Sequence, residues 1–403
     1  MYSELYVLLY SKINNMKAVK IAIPIAIVLF VAGCFVMKKF NVNPPINLIG
    51  KSYEGELPID KIKVPEGFKV DVFAEGVENA RSLCLSPNGT LFVGNRGGDK
   101  VLALKDLDGD GRAEKQYVLY SGGNMPNGVA YKDGDLYIAE VNRILKISDV
   151  ESKLDKPGTP EVIYDQYPTD KHHGWKYIAF GPDGKLYVPV GAPCNMCDRE
   201  EEIYNTITRI NTDGTGLEIV ADGVRNTVGF GWHPQTKEMW FTDNGRDMWG
   251  DDKPGCELNR VTSFGQHFGY PYCHQGDLLD DEFGKGKSCE DYRAPAQVLD
   301  AHVAPLGLEF TEGSQWPAAY QNKVLIAEHG SWNRTKKSGY KISMVSLDEN
   351  HKATAYEDFA VGWLNPVDDD VWGRPVDMEW MPDGSLLISD DFAEAIYRVS
   401  YMK

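Results

Sequence analysis

Basic residues are in deficit. Lys and Arg number 42 against 59 Asp and Glu in 403 residues, a formal charge of −17. Such a surface repels a phosphate backbone, which excludes nucleic acid as a partner. Low complexity is absent as well, because 40 Gly and 22 Pro are too few for a collagen-like chain but enough for many tight turns. Helical periodicity is almost missing after the first 40 residues, which excludes a helix bundle. There is no haem-attachment motif: the single CxxC, Cys194 to Cys197, is followed by Asp198 rather than His. With no second CxxC, a zinc ribbon is excluded too.

The hydrophobic share of 42% and charged share of 25% are those of a globular protein. The aromatic share of 11% favours β structure with aromatic-lined sites. One long uncharged run stands out, Ile21 to Met37, with Lys17 and Lys20 before it and Lys38 and Lys39 after it. As a helix it is just long enough for a thin bilayer and also fits an export signal. Val31-Ala32-Gly33-Cys34 has the form of a lipoprotein cleavage site, with Cys34 as the lipidated residue. Residues 1–37 are therefore expected to be a signal anchor or lipoprotein signal, 38–60 a linker, and 61–403 the exported domain. Its membrane tether would leave that domain facing a periplasm or the cell exterior. Export permits disulfides. A bridge across Cys194 and Cys197 is expected, and Cys273 and Cys289 bracket a polar loop that a second bridge would close. Cys84 reads as a buried thiol, and Cys256 has no evident mate.

Past residue 60 the chain repeats one unit: an alternating apolar run, a turn such as Pro-Asn-Gly or Pro-Asp-Gly, then a second alternating run. Clear copies are 82–95, 127–140, 177–191 and 376–391, with diverged copies at 228–244 and 306–330. Period-two alternation around Asn-Gly or Asp-Gly is a hairpin signal. Six such hairpins at wide spacing predict an all-β, six-bladed β-propeller following the N-terminal apolar helix.

Polar residues costly to bury cluster where the predicted strands end. These segments are Lys171 to Trp175, Gly223 to Asn226, Thr242 to Asp247, Glu328 to Arg334 and Trp372 to Pro375. Converging at one mouth of the channel, their Arg, His and Trp side chains suit a flat, anionic, aromatic ligand. A separate run, Asp106-Leu-Asp108-Gly-Asp110-Gly, opens like a calcium loop. Tyr117 stands at its twelfth position instead of Glu, so Asp106, Asp108 and Asp110 are either a second Ca²⁺ site or a polar turn.

Taken in order, HHGWKYIAFGPDGKLYVPVGAPCNMC, GVRNTVGFGWHP, WFTDNGRDMWGDD, ELNRV, HFGYPYC, AEHGSWNR and WGRPVDM resemble the sorbosone-dehydrogenase-like branch of the pyrroloquinoline quinone (PQQ) sugar dehydrogenases. The resemblance runs from about Val64 to the C-terminus. It implies a quinoprotein that uses PQQ and Ca²⁺ to oxidise a sugar, polyol or sugar aldehyde, then hands electrons to a quinone or cytochrome. It implies that His173 is the general base and that Arg225 polarises the quinone. Cofactor contacts are implied for Arg225, Asn226, Asn244, Arg246, His329, Trp332, Arg334 and Arg374. Backbone carbonyls of Gly245 and Arg246 would hold Ca²⁺. The chain departs from the soluble sugar dehydrogenases in having His172 before the base, no matching Lys on the fifth blade, and Val376 where they have a second Arg. Two other readings of the same fold are a Ca²⁺-dependent lactonase-like hydrolase and a non-catalytic binding propeller.

Overall fold

The computed structural model describes residues 50–402. The apolar run 21–37 and Cys34 lie outside the described residues. Among those described, no helix is long and apolar enough to cross a membrane.

All six sequence repeats are the paired strands of successive blades. Their hairpins are Ala80–Leu85 with Thr90–Asn95, Gly128–Lys132 with Asp135–Ala139, and Ala179–Phe180 with Leu186–Val190. The other three are Phe230–Trp232 with Met239–Asp243, Pro305–Phe310 with Lys323–Glu328, and Pro375–Trp380 with Leu386–Asp390. Each is extended outward by further strands into a sheet of four or five, giving a six-bladed β-propeller. The turns follow the residue chemistry. Gly89 sits at φ +76° and Gly184 at φ +77°, a region that only glycine enters without strain.

Apolar clusters lie between neighbouring blades rather than on the central axis. One holds Phe92, Val101, Ile138 and Leu145, and another Trp240, Leu258, Leu308 and Ile326. The first strands of the blades approach so closely that a Cβ on Gly229 would lie 2.0 Å from the Leu306 carbonyl oxygen. The apolar residues thus hold the ring, and strand ends are left to line its channel.

The ring closes through the chain's two ends. Strand Phe68–Glu75 pairs antiparallel with Ala395–Tyr401, so the sixth blade takes its outermost strand from the start of the domain. Phe68 secures the closure edge-to-face against Trp316, Tyr320, Phe359 and Tyr401, with centroids 4.7 to 5.3 Å away. In the fourth blade a long excursion separates Gly255–Val261 from Gln297–Ala301 and carries the Cys273–Cys289 disulfide. Within that excursion Gln266–His267 adds a parallel fifth strand to the third blade.

Candidate active site

One end of the channel opens into a cavity of about 390 Å³, within the range of small-molecule sites. Its wall brings together His173, Arg225, Asn226, Asn244, Gly245, His329, Trp332 and Arg374. Two expected contributors are elsewhere. The Arg246 side chain is drawn to Asp280 and lies over the Trp249 ring at 4.8 Å. Arg334 pairs with Asp252 at 3.0 Å and reaches the Ala301 carbonyl. Neither side chain is on the cavity wall, because each finds a partner in the loops around the mouth.

His173 has a left-handed backbone, φ +49°, at the start of the third blade. Its Nδ1 lies 2.8 Å from the Ala192 carbonyl oxygen and can only donate to it. That fixes the tautomer and leaves the Nε2 lone pair as proton acceptor. Burial pushes the imidazole pKa well below its usual value, and the charge of Arg225 and neighbouring His172 add to this. The ring is therefore neutral across the neutral pH range.

Arg225 is held on all sides. Its Nε donates to the Asn195 carbonyl at 3.0 Å, Nη1 to the Asn244 carbonyl at 3.2 Å, and Nη2 to Asn195 Oδ1 at 2.9 Å and Asp247 Oδ2 at 3.0 Å. Four of five N–H donors are thus used, and one on Nη1 remains. Behind it, Asp243 accepts the backbone N–H groups of Arg225 at 2.8 Å and Asn226 at 2.7 Å. Burial raises the Asp243 carboxyl to about 6 against those hydrogen bonds.

Opposite lies a group the sequence reading only partly named. Arg81, which precedes the first repeat, donates to Asp391 Oδ2 at 2.9 Å. The other oxygen of Asp391 is 2.7 Å from His329 Nε2. Burial lowers the His329 pKa to about 3, helped by the charge of Arg374. Burial works against ionisation of Asp391, but His329, Arg81 and Arg374 outweigh it and hold the carboxyl well below its usual range. Arg374 reaches the His329 carbonyl at 3.1 Å and the Gly330 carbonyl at 3.2 Å.

Arg96, Trp175, Asp247, His302 and Asn333 also line the cavity. The Arg96 guanidinium lies over the Trp175 ring at 3.7 Å. Burial, with Arg81 nearby, lowers its pKa to about 10, so it stays charged at neutral pH. Neither Arg96 nor Arg374 has a carboxylate partner among the described residues, and the buried Trp175 Nε1 has no acceptor. Two guanidinium groups that make no direct ion pair, with only the field of the already paired Asp391 acting on them, and an orphaned indole donor ask for an anionic ligand with several acceptor oxygens. A signal for Arg81 was present: it stands immediately before its repeat, as Lys176 stands before the one at 177–191. Arg96 follows a strand end, as Asn244 and His329 do.

Gly191 lets the chain pass between the two central side chains. A Cβ there would lie 2.8 Å from His173 Cβ and 2.9 Å from the His173 carbonyl oxygen. Gly191→Ala is expected to lower stability by about 1–3 kcal/mol through overpacking, read by denaturant unfolding.

The acidic run does gather: ligand oxygens of Asp106, Asp108, Asp110 and Glu114 lie within 4.8 Å of one another, and none of the four lines the cavity. Asp106 accepts from Gly109 and Gly111 N–H, and Asp110 from Arg112 N–H, as in an ordinary polar turn. Both expected disulfides, Cys194–Cys197 and Cys273–Cys289, are formed. Cys84 and Cys256 are free thiols.

The chain is 35% identical over 357 residues to an uncharacterized protein of Borreliella burgdorferi, covering 85% of this chain and 91% of that one. It is 22% identical to the PQQ-dependent pyranose dehydrogenase of Coprinopsis cinerea over 86% of its own length, and spans 55% of that longer protein. Its fold matches the calcium structure of a Trichoderma reesei protein of carbohydrate-active enzyme family AA12, with a TM-score of 0.74, 20% identity, and coverage of 88% of this chain and 99% of the other. The TrAA12-like family model matches residues 62–402, the whole propeller, and the chain belongs to that family.

Proposed function

We propose that the chain is a PQQ- and Ca²⁺-dependent dehydrogenase that oxidises a sugar, polyol or sugar aldehyde and passes the electrons to a separate quinone or cytochrome. The observation that carries this reading is the pair of cavity guanidinium groups, Arg96 and Arg374, without carboxylate partners. A flat cofactor bearing several carboxylates satisfies them, and the orphaned Trp175 Nε1 offers one more donor. The similarity to a PQQ-dependent pyranose dehydrogenase supports the same assignment. The motif resemblance to the sorbosone-dehydrogenase-like branch suggests a sugar aldehyde within the substrate class.

When bound, PQQ supplies a two-electron hydride acceptor. The chain's own residues supply the rest. His173 Nε2 takes the proton of the substrate hydroxyl, since Nδ1 is committed to Ala192. Arg225, rigidly held and with one donor left, stabilises negative charge developing beside it. Trp332, 38% exposed at the mouth, offers a stacking face. Hard oxygen donors at Gly245 and Arg246, their backbone carbonyls, would hold Ca²⁺. Export and tethering through residues 21–37 complete the proposal, placing the acceptor outside the cytoplasm.

A hydrolase built on a central metal needs several carboxylates around it. Asp247 is the one acid on this wall among the described residues, and it already accepts from Arg225 and Asn333. The proposal is tested by loading the purified chain with PQQ and Ca²⁺ and following dye reduction with a panel of sugars. Sugar-dependent reduction is expected; hydrolysis of lactones with no dye reduction would overturn it.

A further inference from the structure

The segment Ala192 to Cys197 touches both groups to which the proposed reaction assigns chemistry. Ala192 accepts from His173 Nδ1 through its carbonyl and donates its N–H to the Arg225 carbonyl at 2.8 Å. Three residues on, Asn195 grips the Arg225 guanidinium twice, through its backbone oxygen and Oδ1. Asn195 is itself fixed: Oδ1 also accepts from Asp247 N–H at 2.8 Å, and Nδ2 donates to the Asp247 carbonyl at 3.1 Å. The Cys194–Cys197 disulfide closes the loop around it. Tyr270 Oη completes the brace, donating to the Asn195 carbonyl at 3.3 Å and accepting from Cys197 N–H at 3.1 Å.

We infer that Asn195 is a positioning residue, held by the Cys194–Cys197 bridge, that sets Arg225 against His173. The inference rests on the dehydrogenase reading for its kinetic consequence but not for its geometry. A guanidinium has many rotamers, and only a rigid acceptor pair selects one of them. Asn195 supplies such a pair without adding charge, so Asp247 is the one carboxylate paired with Arg225 among the described residues. An Asp at 195 would add a second. The short disulfide loop explains how an Asn in a connecting segment can be rigid enough for this task.

The first readout needs no cofactor. The largest charged influences on His173 are Arg225, His172 and Arg96, and the carboxylate on the same wall, Asp247, is paired with Arg225 and bears on His172. If Asn195 holds Arg225 near the ring, Asn195→Ala removes the Oδ1 contact to Nη2 and the two side-chain contacts that fix Asp247, so the guanidinium loosens and the His173 pKa rises. Histidine ¹³C NMR on the PQQ-free protein, with the signal assigned by His173→Gln, reads that shift. In the loaded enzyme kcat is expected to fall about 10- to 100-fold, with KM for the sugar changed less than about threefold. Cys194→Ser with Cys197→Ser, which leaves Asn195 in place but unbraced, is expected to move both readouts in the same direction by less. An unmoved His173 titration with kcat within about threefold of the parent in Asn195→Ala would overturn the inference. Should that variant fail to fold, the double serine variant decides by the same criteria. A wild type that turns over no sugar, with the His173 shift intact, would refute the dehydrogenase reading and leave the positioning role standing.

Discussion

His173→Gln is expected to lower kcat by about 10²- to 10⁴-fold, the usual contribution of a positioned general base. Glutamine keeps a donor for the Ala192 carbonyl and nearly the same volume, so the loss would report on the missing Nε2 lone pair rather than on packing. The fold should survive, which circular dichroism and thermal unfolding would verify. The wild-type pH profile carries the matching signature. The folded-state pKa of His173 is depressed, so the base is fully available at neutral pH and is lost only as pH falls through that lowered value. The acid limb of kcat/KM is therefore expected to lie below about 6.5, the ordinary histidine value. A limb at or above 6.5, or normal turnover by His173→Gln, would remove His173 from the reaction.

The second large effect concerns the ligand. Arg96→Ala is expected to weaken PQQ binding about 10- to 100-fold, the worth of one charge-assisted contact at about 1.5–3 kcal/mol. Adding Arg374→Ala should bring the loss to roughly 50- to 10³-fold, less than full additivity because Arg374 also braces the His329 and Gly330 carbonyls. Both measurements are equilibrium titrations of the cofactor-free protein. Unchanged affinity in the double variant would mean that these cations serve another ligand.

The blade hairpins were legible because period-two alternation and Asn-Gly or Asp-Gly turns are local properties of the chain. Even the diverged copy at 228–244 kept its alternation when its turn passed to Lys237, which takes the left-handed conformation at φ +59°. The outer strands were harder to see. Glu161–Tyr164 is only four residues long, and its Ile163 and Tyr164 pack on the core without the alternation that marks the inner strands. Ring closure was invisible for a different reason: Phe68 and Tyr401 pair across the full length of the domain, and no local pattern encodes that.

The site divides the same way. His173, Arg225 and Arg374 precede the first strands of their blades and His329 follows a second strand, and antiparallel pairing brings those starts and ends to one mouth. Arg81 and Asp391 meet only because the last blade closes on the first, a contact 310 residues apart in sequence. Asn195 reads as loop between two cysteines until the fold lays it against Arg225. Arg246 and Arg334 were misplaced because an arginine at a strand end has reach enough to choose a partner outside the channel.

The most direct test of the account is a titration of the purified, cofactor-free domain with PQQ, followed by tryptophan fluorescence with Ca²⁺ present and with Ca²⁺ chelated. Trp175 and Trp332 on the cavity wall make quenching a natural readout. Saturable one-to-one binding that weakens markedly on chelation is expected. Absence of binding at micromolar PQQ with Ca²⁺ present would contradict the account.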